Sequence, residues 1–206
     1  MHTRIMFWCS IVVLGLLSTV AHEFGHAFAM RESAVRIERI SLMGAPYFGT
    51  YVLPLRLKSF PETELVVHPL LIGAYVKPNE DDISKTSVRD RIFILVAGPL
   101  ANLIFAFVLA GCAIGTVIFR KILPHAMFEV LFTALGVGAV ISGAFCAMNL
   151  LPLMPLDGGQ ITMEFLPDGW KNTYTFVSFA ILGLIALMPP PHLVKKIWNT
   201  ARRYIS

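Results

Sequence analysis

The most chemically loaded stretch of the 206-residue sequence is His22-Glu23-Phe24-Gly25-His26. In an α-helix, residues four apart lie on one face about one turn apart, so two imidazoles at this spacing can bind one zinc ion. Glu23, beside the first histidine, is placed to take a proton from a metal-bound water, which is the H-E-x-x-H arrangement of zinc hydrolases. A packing reading, in which the three polar groups satisfy one another without metal, leaves the regular spacing unexplained.

A catalytic zinc takes three protein ligands and keeps one position for water. Candidates for the third are Asp157, Glu164, Asp168, His2, His68, His125 and His192. Choosing among them requires the elements that carry them. Hydrophobic residues make up 56% of the chain and charged residues 15%, with a mean hydropathy of +0.69. Soluble domains carry roughly a quarter charged residues, so lipid is the solvent for much of this chain. The net charge of +4 is scattered between apolar runs, which excludes a nucleic-acid partner. Cys9, Cys112 and Cys146 form no CxxC pair and read as small hydrophobes.

The sequence predicts an α-helical polytopic membrane protein with about four transmembrane helices, near residues 5–30, 92–119, 130–151 and 174–188. Met1 to Arg4 and Thr19-Val20-Ala21 imitate a secretory signal, but the helical apolar pattern continues through Met30, too long for one. Between the first two spans, residues 31–91 mix apolar and polar residues around prolines and glycines. Residues 40–76 there read as strands of a membrane re-entrant, hairpin-like segment, and Asn79-Glu80-Asp81-Asp82 as a solvated loop. Residues 1–192 form one core under this reading. The tail, residues 193–206, reads as a basic amphipathic helix on the membrane surface.

Counting crossings selects the third ligand. His22 lies 17 residues after Ile5, about 26 Å along a helix, toward the far membrane face. If residues 31–91 do not cross, the second span returns and the third brings the chain back to that face, where Leu156-Asp157-Gly158-Gly159 follows. A carboxylate at an interrupted helix end, followed by two glycines that free the backbone, can turn toward a metal. His2, His125 and His192 fall on the opposite face; His68 reads as a hairpin residue, and Glu164 and Asp168 as part of the loop before the fourth span.

With these motifs in view, the chain resembles the site-2 protease family of intramembrane zinc metalloproteases. His22 to His26 resembles the family's first metal motif, and Asn149 to Gly159, reading N-L-L-P-L-M-P-L-D-G-G, its second. Gly73-Ala74-Tyr75-Val76-Lys77 is similar to the end of its re-entrant segment, and Gly98-Pro99-Leu100-Ala101-Asn102 to the opening of the next span. Met154 and Ala74 depart from the usual proline and glycine. Only Arg120 to Glu129 separates the second and third spans, where some relatives carry PDZ domains, so the resemblance implies a minimal form without one.

The resemblance implies one Zn²⁺ per chain on His22, His26 and Asp157, with Glu23 as the catalytic base. Substrates would be transmembrane proteins cut in or near their membrane segments, in regulated intramembrane proteolysis, with the lipid bilayer and a regulatory membrane protein as further partners. Asn149 is a candidate for binding the substrate or its oxyanion, or equally for tying two helices together; Asn102 reads as a packing residue. The alternative class is a non-proteolytic zinc-binding scaffold or escort, which would have no use for Glu23. With the N-terminus outside, inner segments hold ten basic residues against seven elsewhere, a bias toward an active site facing the cytoplasm of a bacterial cell.

Overall fold

The computed structural model describes residues 2–42, 51–53, 59–61, 63–67 and 74–187. Three long helices dominate it: α1 (His2–Glu32), α3 (Val88–Ile118) and α4 (His125–Asn149). Between α1 and α3 lie strands β1 (Ile37–Leu42), β2 (Tyr51–Leu53), β3 (Glu64–Val67) and β4 (Tyr75–Pro78), then the one-turn-and-a-half helix α2 (Glu80–Lys85). Helices α5 (Asp157–Phe165) and α6 (Asp168–Leu187) follow α4. Among the described residues, four helices, α1, α3, α4 and α6, are long and apolar enough to cross a membrane. The expected polytopic helical class is therefore observed, with each helix extending a few residues beyond the expected span at one end or both.

Outward-facing Trp8, Val12, Phe107 and Val140 leave apolar surface on the helices, as a lipid solvent permits. Inside, α1, α3 and α4 meet through small residues. A β-carbon on Gly138 would stand 2.8 Å from Leu14 Cδ1, and Ala106, Ala113 and Ala134 are buried. Lipid gives helices no hydrophobic reason to associate, so close backbone approach through such residues supplies the contact energy. The three cysteines are free.

Helix α1 ends where Ala34 takes a left-handed conformation at φ 56°, and Val35 N–H donates to Met30 O at 2.9 Å. This cap turns the chain into β1. The strands form a four-stranded mixed sheet in the order β2-β3-β1-β4. β1 pairs parallel with β3 and antiparallel with β4, and β2 pairs antiparallel with β3. The segment is thus more than a hairpin, because the nonlocal β1–β3 pairing brings in a second partner. β4 stands at one edge.

Ala27, Met30, Val35, Ile40, Phe60, Leu65 and Ile94 form the buried core that joins the end of α1 to the sheet and the start of α3. Asn79 to Asp82, expected as a solvated loop, instead starts α2. Asn79 Oδ1 accepts from Asp82 N–H at 3.2 Å, and the Asp82 carboxylate accepts from Arg36 Nε at 2.7 Å. The correction has a physical cause: an asparagine cap with three acidic residues in the first turn suits a helix N-terminus. The tail at 193–206, Gly73, His68 and His192 lie outside the described residues.

Candidate metal centre

Helix α1 places His22 and His26 on one face, both buried, with ring centroids 4.7 Å apart and planes at 86°. Asp157 comes from the first turn of α5, also buried. Its Oδ2 lies 3.2 Å from His22 Nε2 and its Oδ1 3.5 Å from His26 Nε2, while the two Nε2 atoms are 3.1 Å apart. Two bonds of about 2.0–2.1 Å at a tetrahedral ion separate their donors by roughly 3.3 Å, and all three spacings fall near it. Asp157 Oδ2 is a buried carboxylate oxygen with no hydrogen-bond partner among the described residues. An orphaned carboxylate beside two imidazoles is the donor set that suits a zinc ion.

Several backbones give way to let this cluster form. Gly25 faces the Ala97 carbonyl, and its β-carbon would stand 2.8 Å from Ala101 Cβ, so α1 and α3 touch here. Gly98 of α3 lies against both imidazoles. On the other side, Gly158 and Gly159 face the Leu150 and Leu153 backbones, and a β-carbon on either would collide with them. These two glycines serve close approach within a regular helix. The reading that they free the backbone at an interrupted end is therefore corrected: Asp157 opens a nine-residue helix folded tightly back on the linker after α4. Arg91 then fixes α5 from its other end, with Nη2 2.6 Å and Nε 2.9 Å from the Glu164 carboxylate.

The far sides of both imidazoles are also engaged. Pro99 has no N–H for the Leu95 carbonyl, which loosens the ladder of α3. In this turn the Ile94 carbonyl accepts from His26 Nδ1 at 2.7 Å. A carbonyl can only accept, so His26 carries its proton on Nδ1 and turns the Nε2 lone pair toward Asp157. His22 Nδ1 faces the Asn102 carboxamide at 3.1 Å. Ser18 Oγ lies 3.1 Å from Asn102 Oδ1 and 2.9 Å from Ser142 Oγ, and Ser142 Oγ donates to Asn102 O at 2.8 Å.

The cluster opens into a cavity of about 770 Å³. Glu23, Tyr75, Val76, Asn149, Gln160 and Glu164 are among its lining residues. The Val76 backbone of the edge strand β4 faces the Glu23 carboxylate across this cavity. Asn149 Nδ2 donates to Phe145 O at 3.0 Å within its own helix.

Among the expected residues, then, His22, His26 and Asp157 come together, and Glu23 and Asn149 share their cavity. Three other ligand candidates among the described residues do not join. Glu164 is engaged by Arg91, Asp168 pairs with Lys171 at 2.7 Å, and exposed His125 faces Glu129 at 3.7 Å. Sequence reasoning gave Gly98 no role at the cluster and left Asn102 to packing. The motif containing both was visible, and its place one turn past Ile94 was the available signal.

A family model, that of peptidase family M50, matches residues 9–126, more than half of the chain. The chain belongs to peptidase family M50. Among curated relatives, a putative zinc metalloprotease of Xylella fastidiosa is 36% identical over 114 residues, covering 50% of this chain and 24% of the relative. Protease RseP of Yersinia pestis is 36% identical over 110 residues, with 48% and 23% covered. Regulator of sigma-E protease RseP of Escherichia coli is 37% identical over 108 residues, with 47% and 22% covered. This M50 chain matches about a quarter of the length of each of these relatives. Its four apolar helices make it a multi-pass membrane protein.

Proposed function

We propose that this chain is a zinc metalloendopeptidase that hydrolyses peptide bonds in or near the transmembrane segments of membrane-anchored proteins. The observation that carries this reading is the placement of Glu23. It stands outside the His22–His26–Asp157 set, in the cavity onto which that set opens, facing an edge strand. A scaffold that only held zinc would have no use for a free carboxylate there.

One zinc ion held by His22, His26 and Asp157 would supply Lewis acidity to an attacking water and to the scissile carbonyl. Glu23 takes the proton of that water as the C–O bond forms, and returns it to the amine nitrogen as the C–N bond breaks. His26 is kept in the ligating tautomer by the Ile94 carbonyl.

A transmembrane helix hides its carbonyls in its own hydrogen bonds and must open before it can be cut. β4 offers the opened segment a strand edge, with Tyr75 and Val76 in the cavity wall. Asn149 Nδ2 has two protons and gives one to Phe145 O, leaving the other for the substrate backbone or the developing oxyanion. The basic residues, ten against seven, favour a site facing the cytoplasm of a bacterial cell. RseP is named as a regulator of sigma-E protease, so membrane-anchored regulators of transcription are the first substrates to test for regulated intramembrane proteolysis, with a regulatory membrane protein controlling access.

The test is cleavage of single-span membrane proteins by the chain reconstituted in lipid vesicles, with cut sites mapped by mass spectrometry. The reading expects cuts within or at the border of the apolar segment, abolished by a zinc chelator and restored by zinc. Zinc binding without any cut across such substrates would favour the scaffold.

A further inference from the structure

For His22 to ligate through Nε2, its proton must sit on Nδ1 and face an acceptor, as His26 does toward Ile94 O. The group facing His22 Nδ1 is the Asn102 carboxamide, 1% exposed, with Nδ2 nearest. In that orientation the amide donates to Nδ1, and the His22 proton is left on Nε2, directed at the His26 Nε2 lone pair 3.1 Å away. With that placement His22 Nε2 offers no lone pair to a metal. A half-turn of the carboxamide exchanges its oxygen and nitrogen without moving anything else.

Counting protons shows what the half-turn achieves. As placed, the single Ser18 hydroxyl proton is claimed by both Asn102 Oδ1 and Ser142 Oγ. After the turn, Asn102 Oδ1 accepts from His22 Nδ1, and Asn102 Nδ2 donates to Ser18 Oγ. Ser18 then donates to Ser142 Oγ, and Ser142 continues to donate to the Asn102 backbone carbonyl. Each of these buried hydroxyl and amide groups acquires its own partner, and the chain of bonds crosses α1, α3 and α4.

We propose that Asn102 is a positioning residue for the metal. Its carboxamide oxygen accepts from His22 Nδ1 in the loaded site, and Ser18 and Ser142 hold it there. This rests on the zinc-site reading above and assigns to Asn102 a role that packing alone does not require. Outer partners of this kind typically change metal affinity by about 10–100-fold when removed.

The experiment measures the zinc dissociation constant of the full chain in detergent by competition with a chromogenic chelator, with thermal unfolding recorded for each variant. Asn102→Leu, which fills the volume without an acceptor, is expected to weaken zinc binding about 10–100-fold. Asn102→Asp, which keeps an acceptor for His22 Nδ1, is expected to stay within about threefold of wild type. A packing role predicts the reverse order, because leucine suits an apolar interior and a carboxylate does not. A folded Asn102→Leu protein that binds zinc like wild type overturns the proposal. So does a folded Asn102→Asp protein that loses tenfold or more, a result that decides even if the leucine variant does not fold. His22→Ala separates the two readings: if it binds zinc as well as wild type, the zinc site itself is wrong, whereas loss in His22→Ala alone leaves the site and removes only Asn102.

Discussion

Gly98 lies against His26 so closely that a β-carbon would stand 2.6 Å from His26 Cε1, and 2.9 Å from His22 Cε1. Real contacts of that length do not persist, so one methyl group must push the imidazoles out of line. Gly98→Ala is expected to weaken zinc binding at least about tenfold and to abolish cleavage. Gly111→Ala, on the same helix with nothing within 4 Å of its β-carbon, is expected to leave both unchanged. Zinc titration of the two proteins side by side checks this.

The third ligand is decided by zinc content. Asp157→Ala removes a buried donor of the cluster and is expected to take zinc below about 0.2 per chain. Glu164→Ala only frees Arg91, 2.6 Å away, and is expected to keep about one zinc per chain while loosening α5. Elemental analysis after gel filtration reads both, and the opposite pattern would make Glu164 the ligand.

At β4, Val76→Pro deletes the backbone N–H of the residue that faces Glu23. β4 is an edge strand, and edge strands tolerate proline better than central ones. Zinc content is expected to stay near one per chain while the cleavage rate falls about tenfold or more. An unchanged rate with an unchanged zinc content would detach the β4 edge from catalysis.

The junction between β1 and α2 carries a pH dependence of its own. Arg36 donates to Asp82 through Nε at 2.7 Å, Nη2 at 3.1 Å and its backbone N–H at 3.1 Å. These donors hold the Asp82 carboxyl below the usual aspartate range. A carboxyl lowered on folding adds stability above its unfolded pKa, about 3.9, and loses it as pH falls through the folded value. Hydrogen-exchange protection at β4 and α2 is therefore expected to hold at pH 5 and above and to decline below about pH 4. Asp82→Asn should show the decline already at pH 7.

What was legible in the sequence follows the range of the interactions. His22, Glu23 and His26 could be read from helical spacing alone, since i,i+4 geometry is local. Asp157 could be read from the parity of the spans, because a bilayer turns a distant residue into a question of which face it reaches. The β1–β3 parallel pairing could not, since no local pattern specifies a partner across an intervening strand. Asn79 to Asp82 was misread because its charges suit a solvated loop and a helix N-terminus alike. Gly98 and Asn102 stood in a visible motif, but their contacts with His22 and His26 depend on how α3 crosses α1, which spacing within α3 does not encode.

The central claim is that Glu23 moves protons and does not hold metal. Glu23→Gln keeps the size and a side-chain oxygen while removing the base. Zinc per chain and the rate of cleavage of one transmembrane substrate, measured on the same purified preparation, test it directly. About one zinc is expected in both wild type and Glu23→Gln, with cleavage slowed about 10²–10⁴-fold in the variant. Undiminished cleavage by zinc-loaded Glu23→Gln, or loss of zinc in step with loss of cleavage, would contradict it.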